Sequence, residues 1–129
     1  MKKLLILLFS LLVSVNSYGD WTRVTSNELG DVAYVDLQTV KIVSNMRYFY
    51  YLKDYVSPSP WGDLSNTSYR QINCKTFQAK DLLLNYYAEP LGKGSPTEGS
   101  GPTPDSKWQS YPLDSMGYAV SEYICNLKM

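Results

Sequence analysis

Apolar and polar residues alternate in short bursts from Trp21 to Glu89, and only the stretch from Leu113 to Leu127 changes to a helical period. Successive side chains of a strand point to opposite faces, so the bursts predict strands at residues 21–25, 32–36, 46–55, 67–75 and 80–89. Asn27 to Asp31, rich in turn-forming residues, separates the first two. Leu37 to Val40 reads as one helical turn or a bend. Pro58, Pro60 and Gly62 end the third strand, since proline cannot donate to a ladder. Connections this short favour antiparallel neighbours, because parallel pairs need a long crossover.

The third strand carries Tyr48, Phe49, Tyr50 and Tyr51, which puts aromatic rings on both of its faces. It is therefore a central strand covered on both sides, or one that shows an aromatic row to a partner. On the fourth strand Tyr69, Gln71 and Asn73 face one way, and Ser68, Arg70, Ile72 and Cys74 the other. The fifth, with Leu82, Leu83, Leu84, Tyr86 and Tyr87, supplies both faces. Leu91 to Pro104, with four glycines and three prolines, reads as a long mobile surface loop. Its Gly92-Lys93-Gly94-Ser95 string lacks the spacing of a phosphate loop.

Leu113, Met116, Val120, Tyr123, Ile124 and Leu127 fall on one helical stripe that must bury against the sheet. Pro112 suits the first helical turn, with Ser110 or Tyr111 just outside. Cys125 lies off the middle of the stripe. The reading is an α+β fold: an antiparallel sheet of five to six short strands with a C-terminal helix packed on it.

The start of the chain changes the compartment. Lys2 and Lys3 precede an apolar run from Leu4 to Val13, followed by small or polar residues. This predicts a signal peptide over residues 1–19, cleaved after Ser17 or Gly19, and a single domain over 20–129. The run is about half of what a bilayer-spanning helix needs, so no transmembrane segment is expected after cleavage. No cysteine precedes Cys74, which closes the lipoprotein route. The protein is expected to be exported, to the periplasm or the cell surface.

In such a compartment the two cysteines, Cys74 and Cys125, are expected to pair and to tie the helix to the sheet. Losing Lys2 and Lys3 leaves 10 basic residues against 12 acidic, a net charge of −2. That argues against nucleic acid or an anionic membrane as a partner. The chain has no histidine, so the usual general base and the commonest metal ligand are missing. No cofactor and no metal are expected. Asp31, Asp36, Asp54 and Asp63 could pair as glycosidase-type carboxylates, but they stand beside strand ends where solvated turn residues are the rule, and a non-enzymatic protein is the expectation.

The order and spacing of Ala33 to Asp36, Tyr51 to Tyr55, Ser68 to Cys74, Tyr86 to Gly94 and Tyr111 to Asp114, running on to Ile124 and Cys125, resemble the surface-adhesin E family over nearly the whole mature chain. The resemblance implies an antiparallel sheet with a C-terminal helix tied by a Cys74–Cys125 disulfide. It also implies an adhesin that binds host extracellular-matrix or serum proteins such as vitronectin and laminin. The family's lipid anchor and basic tail have no counterpart here, since only Lys107 and Lys128 follow Pro104. A periplasmic binding or inhibitor protein acting on an envelope partner is the alternative.

The resemblance places the binding region on Lys41 to Tyr55. Its candidate contacts are Lys41, Arg47, Tyr48, Tyr50 and Lys53, acting through side chains or through an exposed strand edge. The other reading is an aromatic core strand with solvated charges. Trp61 and Trp108, in or beside loops, either present contacts or fold back to cap the sheet. The sequence leaves the partner and the oligomeric state open.

Overall fold

The computed structural model describes residues 20–128, so the expected signal peptide lies outside the described residues. Five long strands run as a meander: β1 (Trp21–Ser26), β2 (Val32–Val43), β3 (Met46–Asp54), β4 (Ser65–Asn73) and β5 (Gln78–Tyr87). A 3₁₀ turn at Pro90–Gly92, two two-residue strands, β6 (Gly101–Pro102) and β7 (Gln109–Ser110), and the helix α1 (Met116–Cys125) complete the order. All pairings are antiparallel, and β6 and β7 both lie along the outer edge of β5. The sheet therefore has seven strands, the surplus over expectation being these two short pieces.

Two boundaries differ from the sequence reading. Residues 37–40 are not a helical turn: β2 continues through them with a bulge, where Asp36 pairs with Tyr50 and the next pair is Lys41 with Tyr48. Local bonds hold the bulge. The Asp36 carboxylate accepts from the Gln38 amide at 3.1 Å, Thr39 Oγ1 donates to the Asp36 carbonyl at 2.7 Å, and the Tyr50 amide donates back to Thr39 Oγ1 at 3.0 Å. The helix also starts later than Pro112 suggests. Ser115 is the N-cap and accepts from the Tyr118 amide at 3.2 Å, so Leu113 lies outside the helix and is 79% exposed.

Residues 91–104 are tied down rather than loose. The Leu91 amide donates to Asp54 Oδ1 and the Gly92 amide to Ser65 Oγ, at 2.8 and 2.9 Å. Further on, the Thr97 amide donates to the Tyr86 carbonyl and the Thr103 amide to the Leu82 carbonyl, at 2.8 and 3.0 Å. The glycines and prolines shape a path along the sheet.

Only one side of the sheet is packed by the helix. Ala33, Val35, Phe49, Tyr51, Ile72 and Ala79 meet Val120 and Ile124 there, all buried. The Cys74–Cys125 disulfide, with a Cα separation of 5.6 Å, ties the end of the helix to the end of β4 at the flank of this core. At the other end of the helix Gly117 admits the Tyr111 ring so closely that a Cβ would lie 2.5 Å from it. Tyr111 thus roofs the first helical turn, a contact open only to glycine.

Beneath the helix side lies a buried charge pair. Arg70, 8% exposed in its side chain, donates through Nε to Asp81 Oδ1 at 2.9 Å, and Ser68 Oγ donates to the same oxygen at 2.6 Å. The guanidinium carbon lies 4.3 Å from the Tyr51 ring centre and 5.6 Å from that of Tyr111. Burial alone would push the Arg70 pKa down, but Asp81, Tyr111 and Tyr51 outweigh it and the net shift is upward. Arg70 stays charged in a place where charge is costly.

The Tyr51 phenol is pushed above the ordinary tyrosine value by burial, against the opposing pull of Arg70. Burial also raises Tyr55, against a hydrogen bond from Asn66. For groups raised on folding, the stabilisation is complete below the unfolded value of about 10 and is lost as pH climbs through the folded values. The melting temperature should therefore start to fall at about pH 10 and keep falling above it, and the Tyr51→Phe variant should fall less steeply over that alkaline range. Equal slopes in thermal scans of the two proteins would show that Tyr51 does not carry the effect.

Candidate functional site

The pairing register sorts the five candidate contacts onto two sides of the sheet. Directly opposed residues of neighbouring strands share a face. One row across the sheet reads Lys41, Tyr48, Gln71 and Lys80, and the next reads Asp36, Tyr50, Tyr69, Leu83 and Pro102. Both rows are on the side away from the helix. Arg47 and Lys53 alternate with them, in step with Phe49 and Tyr51, and so stand on the helix side.

The five therefore do not form one strip: Lys41, Tyr48 and Tyr50 come together, whereas Arg47 and Lys53 do not join them. Arg47 is also occupied, its Nη1 donating to the Ser44 and Met46 carbonyls at 3.0 and 3.1 Å. Lys53 lies over the Tyr55 ring, 5.6 Å from its centre. An open strand edge is confined to the start of the segment, where Lys41, Ile42 and Val43 of β2 pair with β3 but lie beyond the reach of β1. β3 is hydrogen-bonded to β2 on one side and β4 on the other, so only its face is open to a partner.

On that face the tyrosines make a continuous surface. Tyr69 stacks on Tyr48 with ring centres 6.3 Å apart and leans on Tyr50 at 4.9 Å. Gln71 Nε2 donates to the Tyr48 hydroxyl at 3.0 Å, which fixes that ring without covering it. Tyr50 is 36% exposed. The 3₁₀ turn covers one end of the face, where Gly92 sits against Leu52 and Thr67, and stops short of the tyrosine rows. Beyond Gln71 the row ends in Lys80, whose Nζ is 4.9 Å from the Trp108 ring centre.

Tyr69 and Lys80 are functional-face residues that the sequence-based candidates do not include. Tyr69 and Gln71 could have been found, because their alternation along β4 already put them on one face. Lys80 could not. Between Tyr69–Leu83 and Arg70–Asp81 the pairing of β4 with β5 slips by one residue, so Leu82 has no partner and the sidedness of the preceding residues is reversed. The two tryptophans left open by the sequence divide: Trp108 lies back beside Lys80, whereas Trp61 stands out at 86% exposed.

The carboxylates once weighed for catalysis mostly hold loops. Asp31 accepts from the Val56 amide at 2.9 Å and Asn27 Nδ2 at 3.2 Å, Asp36 holds the β2 bulge, and Asp54 accepts from the Leu91 amide. Among the described residues no group of His, Cys, Asp and Glu is placed to hold a metal, and no helix is long and apolar enough to cross a membrane.

A single antiparallel sheet, packed by a disulfide-tied helix on one side and, on the other, covered at one end by the 3₁₀ turn but open over the stacked tyrosines, defines a domain that presents a surface. Residues 21–126 match the family model described as surface-adhesin protein E, and the chain belongs to that family. Structures of Haemophilus influenzae protein E share the architecture. Crystal form II aligns with a TM-score of 0.59 at 19% identity, covering 81% of this chain and 86% of that one. A structure from non-typeable Haemophilus influenzae aligns at 0.54 and 20% identity, covering 81% of this chain and 74% of that one. No curated protein sequence matches the chain. Likeness at this identity carries the fold; the family match supports a surface adhesin that is exported or held at the cell surface and has protein partners.

Proposed function

We propose that the protein is a non-enzymatic adhesin, matured to a domain over residues 20–129, that binds host extracellular-matrix or serum proteins through its bare sheet face. The observation that carries this reading is the pair of rows in which Tyr50 is exposed and Tyr48 and Tyr69, half-buried, lie stacked beside it between Lys41 and Lys80. Tyrosine offers a large rigid contact area with a hydroxyl at its tip, which is why it is enriched where binding energy concentrates. Lys41 and Lys80 would steer an acidic partner, a contribution that weakens with salt.

The test is binding of the purified protein to immobilised vitronectin and laminin. Replacing Tyr48 and Tyr50 together by serine should weaken binding by at least about tenfold with the circular dichroism spectrum unchanged. Unchanged binding by a folded double variant would remove this face from the interaction.

Both cysteines of the sequence are committed to the Cys74–Cys125 disulfide, which leaves neither to carry a lipid. A periplasmic protein binding an envelope partner is then the second reading. Loss of the protein when intact cells are treated with an external protease supports the adhesin; protection until the outer membrane is opened supports the periplasmic reading.

A further inference from the structure

A second recessed feature lies on the opposite side of the sheet from the tyrosine rows, where the β3–β4 connection meets the end of β5. Trp61, Asp63, Tyr86, Thr97 and Glu98 line a cleft of about 540 Å³. Tyr86 pairs with Asn66, two residues before Ser68, which places it on the helix side but beyond the helix.

The connection that forms the cleft is built, not slack. The Tyr55 amide donates to the Leu64 carbonyl at 2.9 Å, the Ser59 amide to the Asp63 carbonyl at 2.8 Å and the Gly62 amide to the Ser59 carbonyl at 2.9 Å. Gly62 at φ +86° makes this tight return, in a conformation that a side chain would strain. The turn holds the Trp61 ring out in water and folds Asp63 inward. An 86% exposed tryptophan beside a 7% exposed aspartate is the reverse of the usual distribution.

Asp63 is also poorly partnered. Among the described residues its carboxylate accepts only from the hydroxyls of Ser59 and Thr97, each at 3.4 Å. Hydroxyl-to-carboxylate bonds are ordinarily about 2.5–2.7 Å, and a carboxylate has about four acceptor sites to fill. Among the described residues the one ion pair is Arg70–Asp81, so no described basic side chain answers Asp63. Glu98 adds a second carboxyl at the rim. Two carboxyls, two aromatic rings and no basic lining residue make a cavity rich in acceptors and π-faces.

The geometry points to this cleft as a binding site for an alkylammonium group, supplied by a lysine side chain of a polypeptide partner. The ammonium donates to Asp63 and Glu98 in the manner of a charge-assisted hydrogen bond, and the aliphatic stem lies against Trp61 and Tyr86, whose ring faces attract cations. A sugar would also stack on tryptophan, but it needs donors as well as acceptors. The Trp61 indole and the Tyr86 hydroxyl can donate, but the Thr97 hydroxyl is already turned to Asp63 and the two carboxyls are the only charges of the lining, so it favours the cation. This site stands whether or not the tyrosine face binds a partner.

The test follows the indole N–H resonance of Trp61 by NMR, assigned by its loss in Trp61→Phe, in the oxidised protein. The probes are n-butylammonium, Nα-acetyl-lysine N-methylamide, its Nε-trimethyl and Nε-acetyl forms, and a panel of methyl glycosides. Saturable shifts with the charged probes at roughly millimolar concentration, absent with the neutral Nε-acetyl form and reduced by salt, are expected. Glu98→Gln, at an exposed position that holds no loop, should weaken binding by about three- to tenfold, and so should Trp61→Ala, followed through the Thr97 and Glu98 backbone amide resonances because that variant lacks the indole. Asp63→Asn should weaken it further. Tighter binding of the capped lysine than of butylammonium assigns a polypeptide source, and equal binding assigns a small amine. Saturation by a glycoside alone, equal binding of the Nε-acetyl form, or no saturable shift overturns the site.

Discussion

Replacing Asp81 with alanine is expected to remove about 3 kcal/mol of stability and to lower the melting temperature by roughly 10 °C. Arg70 would remain where it is, 7% exposed under the helix side of the sheet, with its counter-charge gone and Ser68 Oγ released from its acceptor. An uncompensated buried charge generally costs about 3–5 kcal/mol, and the lower end applies because the Asp81 side chain is itself 28% exposed, so water can enter its place. The Tyr51 and Tyr111 rings soften the loss without cancelling it, since cation–π contacts contribute only about 1–2 kcal/mol each. Thermal unfolding followed by circular dichroism measures the effect. The double variant Arg70→Met with Asp81→Leu should recover most of the stability, because apolar residues of similar volume replace a buried pair at little cost. A single variant that loses less than about 1 kcal/mol would show that the two tyrosines satisfy the guanidinium without Asp81.

The second large effect belongs to the disulfide. Cys74 and Cys125 are separated by 51 residues, and closing a loop of that size constrains the unfolded chain by about 4 kcal/mol. Serine at both positions should cost about 2–5 kcal/mol and lower the melting temperature by roughly 8–20 °C. The loss should also be uneven. Val120 and Ile124 still bury against the sheet, so the helix stays docked but opens more often than the strands do, and its amides should exchange faster than those of β3 and β4. An unchanged melting point in the serine variant would mean that docking of the helix alone supplies the stability.

Much of this architecture was legible because each element carries its own period. Val120 and Ile124 read as a helical stripe and are buried as one; Ser68, Arg70 and Ile72 read as one face of a strand and are buried together. The places where the reading slipped are places where a local bond competes with the period. Asp36 and Thr39 bond their own backbone, which gives residues 37–40 the signature of a turn although the strand runs through them. Pro112 drew the start of the helix three residues upstream of the Ser115 cap that sets it. The candidate site was only half legible for a different reason. Arg47 and Lys53 share a strand with Tyr48 and Tyr50, and composition groups the four, but the pleat puts them on opposite faces. The Arg70–Asp81 pair and the position of Lys80 depend on a one-residue slip between β4 and β5 that no single strand encodes.

The order of the sheet also bears on how the chain reaches this state. From β1 to β5 each strand pairs with its immediate successor, so the ladders can zip from one end as residues become available, each closing a local loop. The helix is the exception. It is the final element, and it returns to pack on β1, at the far end of the chain. The sheet can therefore assemble during vectorial emergence from an export channel, while the core stays open until the last residues arrive. Oxidation of the two thiols then acts as a latch on a completed structure rather than as a guide to its formation.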